Sequence, residues 1–160
     1  MKITIIAVGK LKDTYWKEAL AEYLQRLSAF ARVEVIEVPD RGSHSHTQEQ
    51  IKDVEGAEII KHLQQLAQGS NSAIIALDGQ GKQRSSEQMA KHFDDLKLRG
   101  KSRLVFIIGG SHGLSKEALS HTDESLSFGP QTWPHNMARV MLAEQIYRAF
   151  AISHNHPYHK

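Results

Sequence analysis

The chain predicts one α/β domain over residues 1–160, a mainly parallel sheet with helices on both faces. Three observations carry this. Strand-like and helix-like segments alternate from end to end. Most strand-like segments are uniformly apolar rather than alternating, as in strands covered on both sides. The length suits one domain, with no repeat, linker or low-complexity stretch to divide it.

Ile3–Val8 is β-branched, ends at Gly9 and reads as a buried first strand. Asp13 is placed to cap a helix to about Ala29, on which Trp16, Leu20, Tyr23, Leu24 and Leu27 recur at helical spacing. Val33–Val38 is the second strand, closed by Pro39, and 40–46 is a polar, mobile loop. Thr47 and Gln50 form a capping box for a helix over 48–67, with Ile51, Val54, Ile59, Leu63 and Leu66 as its apolar stripe. A turn at Gly69-Ser70-Asn71 leads to a third strand, Ser72–Leu77, ended by Asp78-Gly79-Gln80-Gly81. Ser85 and Gln88 repeat the capping box for a helix over 86–99, with Gly100 as its C′ residue. Arg103–Ile108 is a fourth strand. Ser115 caps a short helix to about His121, and Ser125–Phe128 is a short fifth strand. A last helix runs from His135 to about Ile152, with Met137, Val140, Met141, Ile146, Tyr147 and Phe150 as its core side, and stops before Asn155 and Pro157.

Composition excludes several chemistries. Zero Cys removes disulfides, Cys-ligated zinc, iron–sulfur clusters and a thiol nucleophile. The start of the chain is too short for a signal h-region, and no run reaches the length of a membrane span. The expectation is a cytoplasmic protein. Net charge is only +2, which does not announce naked nucleic-acid binding. Residues 81–103 hold seven cations against three acids, and solvated helix surface is the simplest reading of that stretch.

Ligands of open parallel sheets bind at the carboxyl ends of the strands. Three loops leave such ends in the second half: Leu77–Lys82, Gly109–Gly113 and Phe128–Trp133. Their glycines allow close backbone approach and expose N–H donors. A phosphate-binding P-loop fails, because Gly81-Lys82 has Ala76 five residues before it and Gln83 after it. The dinucleotide fingerprint fails too, since the first strand offers only Gly9. A late, unusual cofactor site is what remains.

Four of the ten His, at 135, 154, 156 and 159, fall in the last 26 residues. His135 and Arg139 lie one helical turn apart. Glu144 and Arg148 have the spacing of a surface ion pair. The ending His154–Lys160 carries Pro157, Tyr158 and three His, unlike a frayed polar terminus. It reads as a disordered basic end, a metal site without a supporting carboxylate, or a docked tail that lines a pocket and touches substrate. The other His residues read as loop (His44, His46) and helix surface (His62, His92, His121).

The runs Ile107–Ser115, Leu142–Gln145, Tyr147–Ala149 and Asn155–His159, with Arg139, Met1–Gly9 and Leu77–Lys82, together resemble the RlmH type of SPOUT methyltransferase over essentially the whole chain. The resemblance implies a C-terminal trefoil knot, a homodimer and an S-adenosylmethionine-dependent enzyme. Its substrate would be N3 of a pseudouridine in helix 69 of 23S rRNA, and the low net charge favours the assembled ribosome as the form recognised. Carried residue by residue, cofactor contacts fall on Leu77, Gly109, Phe128, Gly129, Pro130, Gln131, Thr132 and Trp133. Residues near the substrate fall on His135, Arg139, Tyr158 and His159. His159 would act as base or hydrogen-bond partner, Tyr158 would position the target base, and Arg139 would meet phosphate or organise the pocket. No metal is implied. The alternative is a non-enzymatic ribosome-binding module.

Overall fold

The computed structural model describes residues 1–67 and 71–160. Five strands form one sheet: β1 (Lys2–Val8), β2 (Arg32–Val38), β3 (Ser72–Gln83), β4 (Arg103–Ile108) and β5 (Glu124–Ser127). Their order is β2-β1-β4-β3-β5, and every pairing is parallel. The helices are α1 (Thr14–Leu27), α2 (Gln48–Ala67), α3 (Ser86–Leu98), α4 (Lys116–Ser120) and α5 (His135–Ser153).

The central strands show why their sequences are apolar throughout. Ile3, Ile5 and Ala7 of β1, with Leu104, Phe106 and Ile108 of β4, pack on α1, α3 and α5. Ile6, Val8, Val105 and Ile107 point to the other face, against α2 and α4. The two-residue period of a strand therefore delivers apolar side chains to two cores at once. The edge strand β2 is more exposed, with only Val38 fully buried.

Both capping boxes form. Thr47 and Gln50 exchange side-chain-to-backbone bonds of 2.8 and 3.2 Å, as do Ser85 and Gln88 at 2.9 and 3.2 Å. The Ser115 hydroxyl accepts from the Ala118 N–H at 3.0 Å, and Gly100 adopts φ +83° behind α3. Asp13 is the N-cap of α1, but its side chain makes no capping bond. Gly69 and Ser70 of the expected turn lie outside the described residues.

Three expectations are corrected. β3 does not end at Leu77. It continues to Gln83 and pairs with β5 on both sides of an irregularity between Leu77 and Lys82. Gly81 permits this, because a Cβ there would stand 2.6–2.7 Å from the backbone of Ser125 and Leu126. On α2, Val54 is exposed, and Glu55 takes the core position in the series Ile51, Glu55, Ile59, Leu63. On α5, Met137, Val140 and Met141 are half-buried. The core side is Ala138, Leu142, Ala143, Ile146, Tyr147 and Ala149, where small residues let α5 lie between α1 and α3.

Gly81→Ala should destabilise the protein by about 3 kcal/mol, the upper end for overpacking, because the atoms it meets are backbone. Denaturant unfolding measures this, and a loss below ~0.5 kcal/mol would contradict the close approach.

Candidate active site

The three glycine loops converge at the carboxyl edge of the sheet. They enclose a cavity of about 590 Å³, within the usual range for small-molecule sites. The second half of β3 contributes Leu77 through Gln80 and Gln83. The end of β4 contributes Ile108 through Ser111, with Gly113. The segment after β5 contributes Ser127 through Trp133. Every residue expected to touch a cofactor lines this one space: Leu77, Gly109 and Phe128 through Trp133.

The walls are largely backbone, shaped by glycine. A Cβ on Gly109 would lie 2.5 Å from the carbonyl carbon of Gly113, so the loop folds onto itself only without a side chain there. The Gly113 N–H donates to Gly110 O at 3.0 Å and closes the turn. Ser127 ties two loops together. Its hydroxyl accepts from the Gly129 N–H at 3.1 Å and lies 3.3 Å from Gly79 O. Side chains added at Gly79, Gly113 or Gly129 would meet nothing within 4 Å. Leu77, Ile108 and Phe128 supply apolar surface. Such a site, backbone donors and acceptors around an apolar floor, fits a flat nucleoside-like ligand.

The residues expected near the substrate divide into two groups. His135 opens α5 and lines the cavity, about 3.7 Å from where a Cβ on Gly9 would stand. It also borders an adjoining hollow of about 380 Å³ with Gly110, Ser111, Thr132 and Trp133. Arg139, Tyr158 and His159 do not line the main cavity.

Arg139 is 1% exposed. It donates to Glu37 Oε2 at 2.9 Å, to Gly9 O at 2.8 Å and to Val8 O at 3.3 Å. Its guanidinium is engaged with Glu37 of β2 and with the carbonyls of Val8 and Gly9 at the end of β1.

The tail is docked, though against its own chain. The Tyr158 ring lies 4.7 Å from Tyr147, and the Arg148 guanidinium sits 4.6 Å above it. The Tyr158 hydroxyl donates to Glu144 Oε1 at 2.9 Å. Burial first, then Glu144, pushes its pKa upward. Glu144 and Arg148 are therefore not a free surface pair. They are partly buried, joined at 2.5 and 2.9 Å, and their shared contacts hold the tail. Glu144 in turn raises the Arg148 pKa.

His159 is held at both nitrogens, with Nε2 2.8 Å from Glu87 and Nδ1 3.2 Å from Arg148 Nη1. A proton on Nε2 and a lone pair on Nδ1 satisfy both neighbours. The Glu87 pKa is lowered to about 2, by Ser85 first, then by its own backbone N–H and His159. The contacts of its carboxylate, chiefly with Ser85 and its own backbone N–H, are complete above the ordinary value of 4.5 and are lost as pH falls through about 2.

Among the described residues no three metal-ligating side chains converge. The basic stretch is mostly engaged internally: Arg84 with Glu124, Lys91 with Asp95, Lys101 on Ser72 O and Arg103 on Leu66 O. His92 is not simple helix surface, since it pairs with Glu124. The residues that sequence reasoning missed as parts of the site are Gln83, Ile108, Ser127 and Ala138. None carries a motif signal, and only the fold brings them to the cavity.

A parallel sheet with a glycine-walled cavity at its carboxyl edge, closed by the loop into the last helix, defines a cofactor-binding α/β protein. The family described as predicted SPOUT methyltransferases matches residues 1–159, and the chain belongs to this family, in its RlmH type. It is 47% identical to ribosomal RNA large subunit methyltransferase H of Bacillus cytotoxicus, and 46% identical to that of Bacillus thuringiensis. Each comparison runs over 164 residues and covers all of both chains. A probable methylase family protein from Haemophilus influenzae shares the fold with a TM-score of 0.58 and 16% identity, over 99% of this chain and 70% of that one. The SpoU methyltransferase AviRb from Streptomyces viridochromogenes, crystallised with AdoMet, has a TM-score of 0.53 at 11% identity, over 92% and 57%.

Replacing Arg139 by Met should cost about 3 kcal/mol, the lower end for one-sided loss of a buried ion pair, because Glu37 still reaches solvent. Denaturant unfolding checks this, and a change under 1 kcal/mol would contradict the organising role.

Proposed function

We propose that this chain is a 23S rRNA (pseudouridine-N3)-methyltransferase. It would use S-adenosylmethionine as methyl donor and act on helix 69 of the assembled ribosome as a cytoplasmic homodimer. The observation that carries this reading is the convergence of Leu77, Gly109 and Phe128–Trp133 on one cavity in a member of the SPOUT family. The full-length likeness to large subunit rRNA methyltransferases supports the substrate class. All of residues 1–160 would act as one domain. The β5-β3-β4 order, with the 128–134 loop over the strand ends, suits the C-terminal knot of the family.

When bound, S-adenosylmethionine supplies a methyl group already activated by a sulfonium. The chain's task is then to align it with the nucleophile and to deal with the proton on N3. Backbone groups of the three loops hold the cofactor, with Leu77, Ile108 and Phe128 as apolar contacts. His135 and Trp133 border the adjoining hollow, where the target base would enter. A general base for the N3 proton is worth roughly 10²–10⁴-fold. In one chain His159 has both nitrogens engaged and stands apart from the cavity lining, so it reaches the base only by exchanging Glu87 for substrate. A second copy that brings its tail to this cavity gives that arrangement, which is the reason for a homodimer in this reading.

The small net charge and the internally paired cations favour a folded ribonucleoprotein over naked RNA. Among the described residues no helix is long and apolar enough to cross a membrane.

The test is labelled methyl transfer to ribosomes that lack the modification, with the product nucleotide mapped. Transfer to N3 of the helix 69 pseudouridine is expected, and transfer to naked 23S rRNA should be much weaker. Absence of both transfer and S-adenosylmethionine binding would favour a non-enzymatic ribosome-binding module. Deleting Tyr158–Lys160 should abolish turnover while cofactor affinity stays within about twofold, ~0.4 kcal/mol. Full activity of the shortened chain would remove the tail from the mechanism.

A further inference from the structure

Glu55 is the one acid in the buried stripe of α2, 3% exposed between Ile51 and Ile59. It stands on the opposite face of the sheet from α5. Its Oε1 accepts from the Arg41 backbone N–H at 3.1 Å. Its Oε2 is buried with no hydrogen-bond partner. The carboxyl packs beside Gly110, where a Cβ would stand 3.1 Å from Oε2, 3.4 Å from Oε1 and 3.0 Å from Val8 Cγ1. Gly110 is itself a wall of the cavity and the acceptor that closes the Gly110–Gly113 turn. Burying a polar group is costly unless it is hydrogen-bonded, and only one of the two carboxyl oxygens is. A leucine there would lose the bond from the Arg41 N–H.

We propose that Glu55 is a positioning residue for the cofactor site: its carboxyl, tied to the Arg41 backbone and wedged behind Gly110, holds the Gly109–Gly113 loop at the height at which it lines the cavity. This rests on the reading of that cavity as the S-adenosylmethionine site. Glu55 touches neither cofactor nor substrate and acts through Gly110 alone.

The protonation state follows from the surroundings. Burial pushes the Glu55 pKa above its ordinary 4.5, and Asp40 beside it pushes the same way, against the Arg41 N–H and the weaker pull of His112. Lys116, at the start of α4, acts on Glu49 rather than on Glu55. The acid is stabilising in its neutral form. Its contribution is complete below pH 4.5 and is lost as pH rises through the raised value. Ionisation would place a second negative charge beside Asp40 behind the loop.

The experiment compares the full-length wild type with Glu55→Gln, Glu55→Asp and Glu55→Ala. S-adenosylmethionine affinity is read by calorimetry across pH, KM for the cofactor and kcat on unmodified ribosomes by methyl transfer, and folding by thermal melting. Glu55→Ala and Glu55→Asp should weaken cofactor binding roughly tenfold, ~1.4 kcal/mol, and raise KM for the cofactor, with kcat at saturating cofactor little changed. Glu55→Gln, neutral and of the same shape, should restore affinity and flatten the wild-type fall in affinity at rising pH. Should the alanine variant not fold, the Gln and Asp variants decide, since both retain a polar end. Unchanged cofactor KM in Glu55→Asp, or a Glu55→Gln as weak as Glu55→Asp, would overturn the proposal. Wild-type protein that binds no S-adenosylmethionine at all would instead overturn the cavity's assignment, and the proposal with it.

Discussion

A single buried cation fixes where the last helix begins. A guanidinium carries five N–H donors and no acceptor, so burying Arg139 demands acceptors, and it finds them in Glu37, Val8 O and Gly9 O. Those acceptors belong to the ends of β1 and β2. The fifth residue of α5 must therefore sit over that side of the sheet. β5, the strand before α5, lies at the other edge, beyond β3. The segment 128–134 has to cross from one side to the other over the ends of β3 and β4. That crossing covers the glycine loops and turns three strand ends into a cavity. The anchor acts together with the packing of Leu142, Ile146 and Tyr147 of α5 in the main core to set this path.

The two faces of the sheet then serve the site differently. On one face α1, α3 and α5 pack closely, and α5 carries both the cavity's edge at His135 and the anchor of the tail at Glu144 and Arg148. On the other face α2 and α4 support the site from behind. Gly56 of α2 approaches α4 so closely that a Cβ would lie 2.3 Å from Ser115 Oγ, the group that caps α4. One turn of α2 therefore presents Gly56 to α4 and Glu55 to Gly110. The backbone of the cavity wall is pressed between β1, through Val8, and this turn.

The strands, both capping boxes and the parallel sheet were legible because each rests on a local rule: β-branched runs, Ser/Thr with Gln three residues on, glycine behind a helix. The three loops were legible as a site because parallel sheets bind ligands at one end. The corrections share a different cause. The extension of β3 through Gly79 and Gly81 depends on how close β5 comes, which no residue of β3 announces. Val54 and Glu55 both fit a helical stripe, and hydrophobicity alone favoured the wrong one, because the burial of Glu55 is decided by Gly110, far away in the chain. Glu144 and Arg148 have the spacing of a surface pair. Only the return of Tyr158 onto α5 converts them into an anchor. The convergence of Leu77, Gly109 and Phe128–Trp133 followed from local loops, whereas the tail's position depends on contacts across 72 residues, from Glu87 to His159.

The two halves of the site also differ in what they ask of the sequence. The cavity is walled by peptide groups, glycine and a few apolar side chains. A residue such as Pro130 or Trp133 can differ from a relative's without altering the groups a ligand meets, provided the path of the backbone is kept. The tail has no such latitude. Tyr158, His159, Glu144, Arg148 and Glu87 form one connected set in which each polar atom satisfies another. Loss of Glu144, Arg148 or Tyr158 leaves a partly buried charge or hydroxyl without its partner, whereas Glu87 is exposed and returns to solvent. In the proposed reading, cofactor binding draws on backbone geometry, with Glu55 behind the loop, while presentation of the tail draws on side-chain identity. Mutations can separate the two functions for that reason, because they draw on different physical resources of the same small fold.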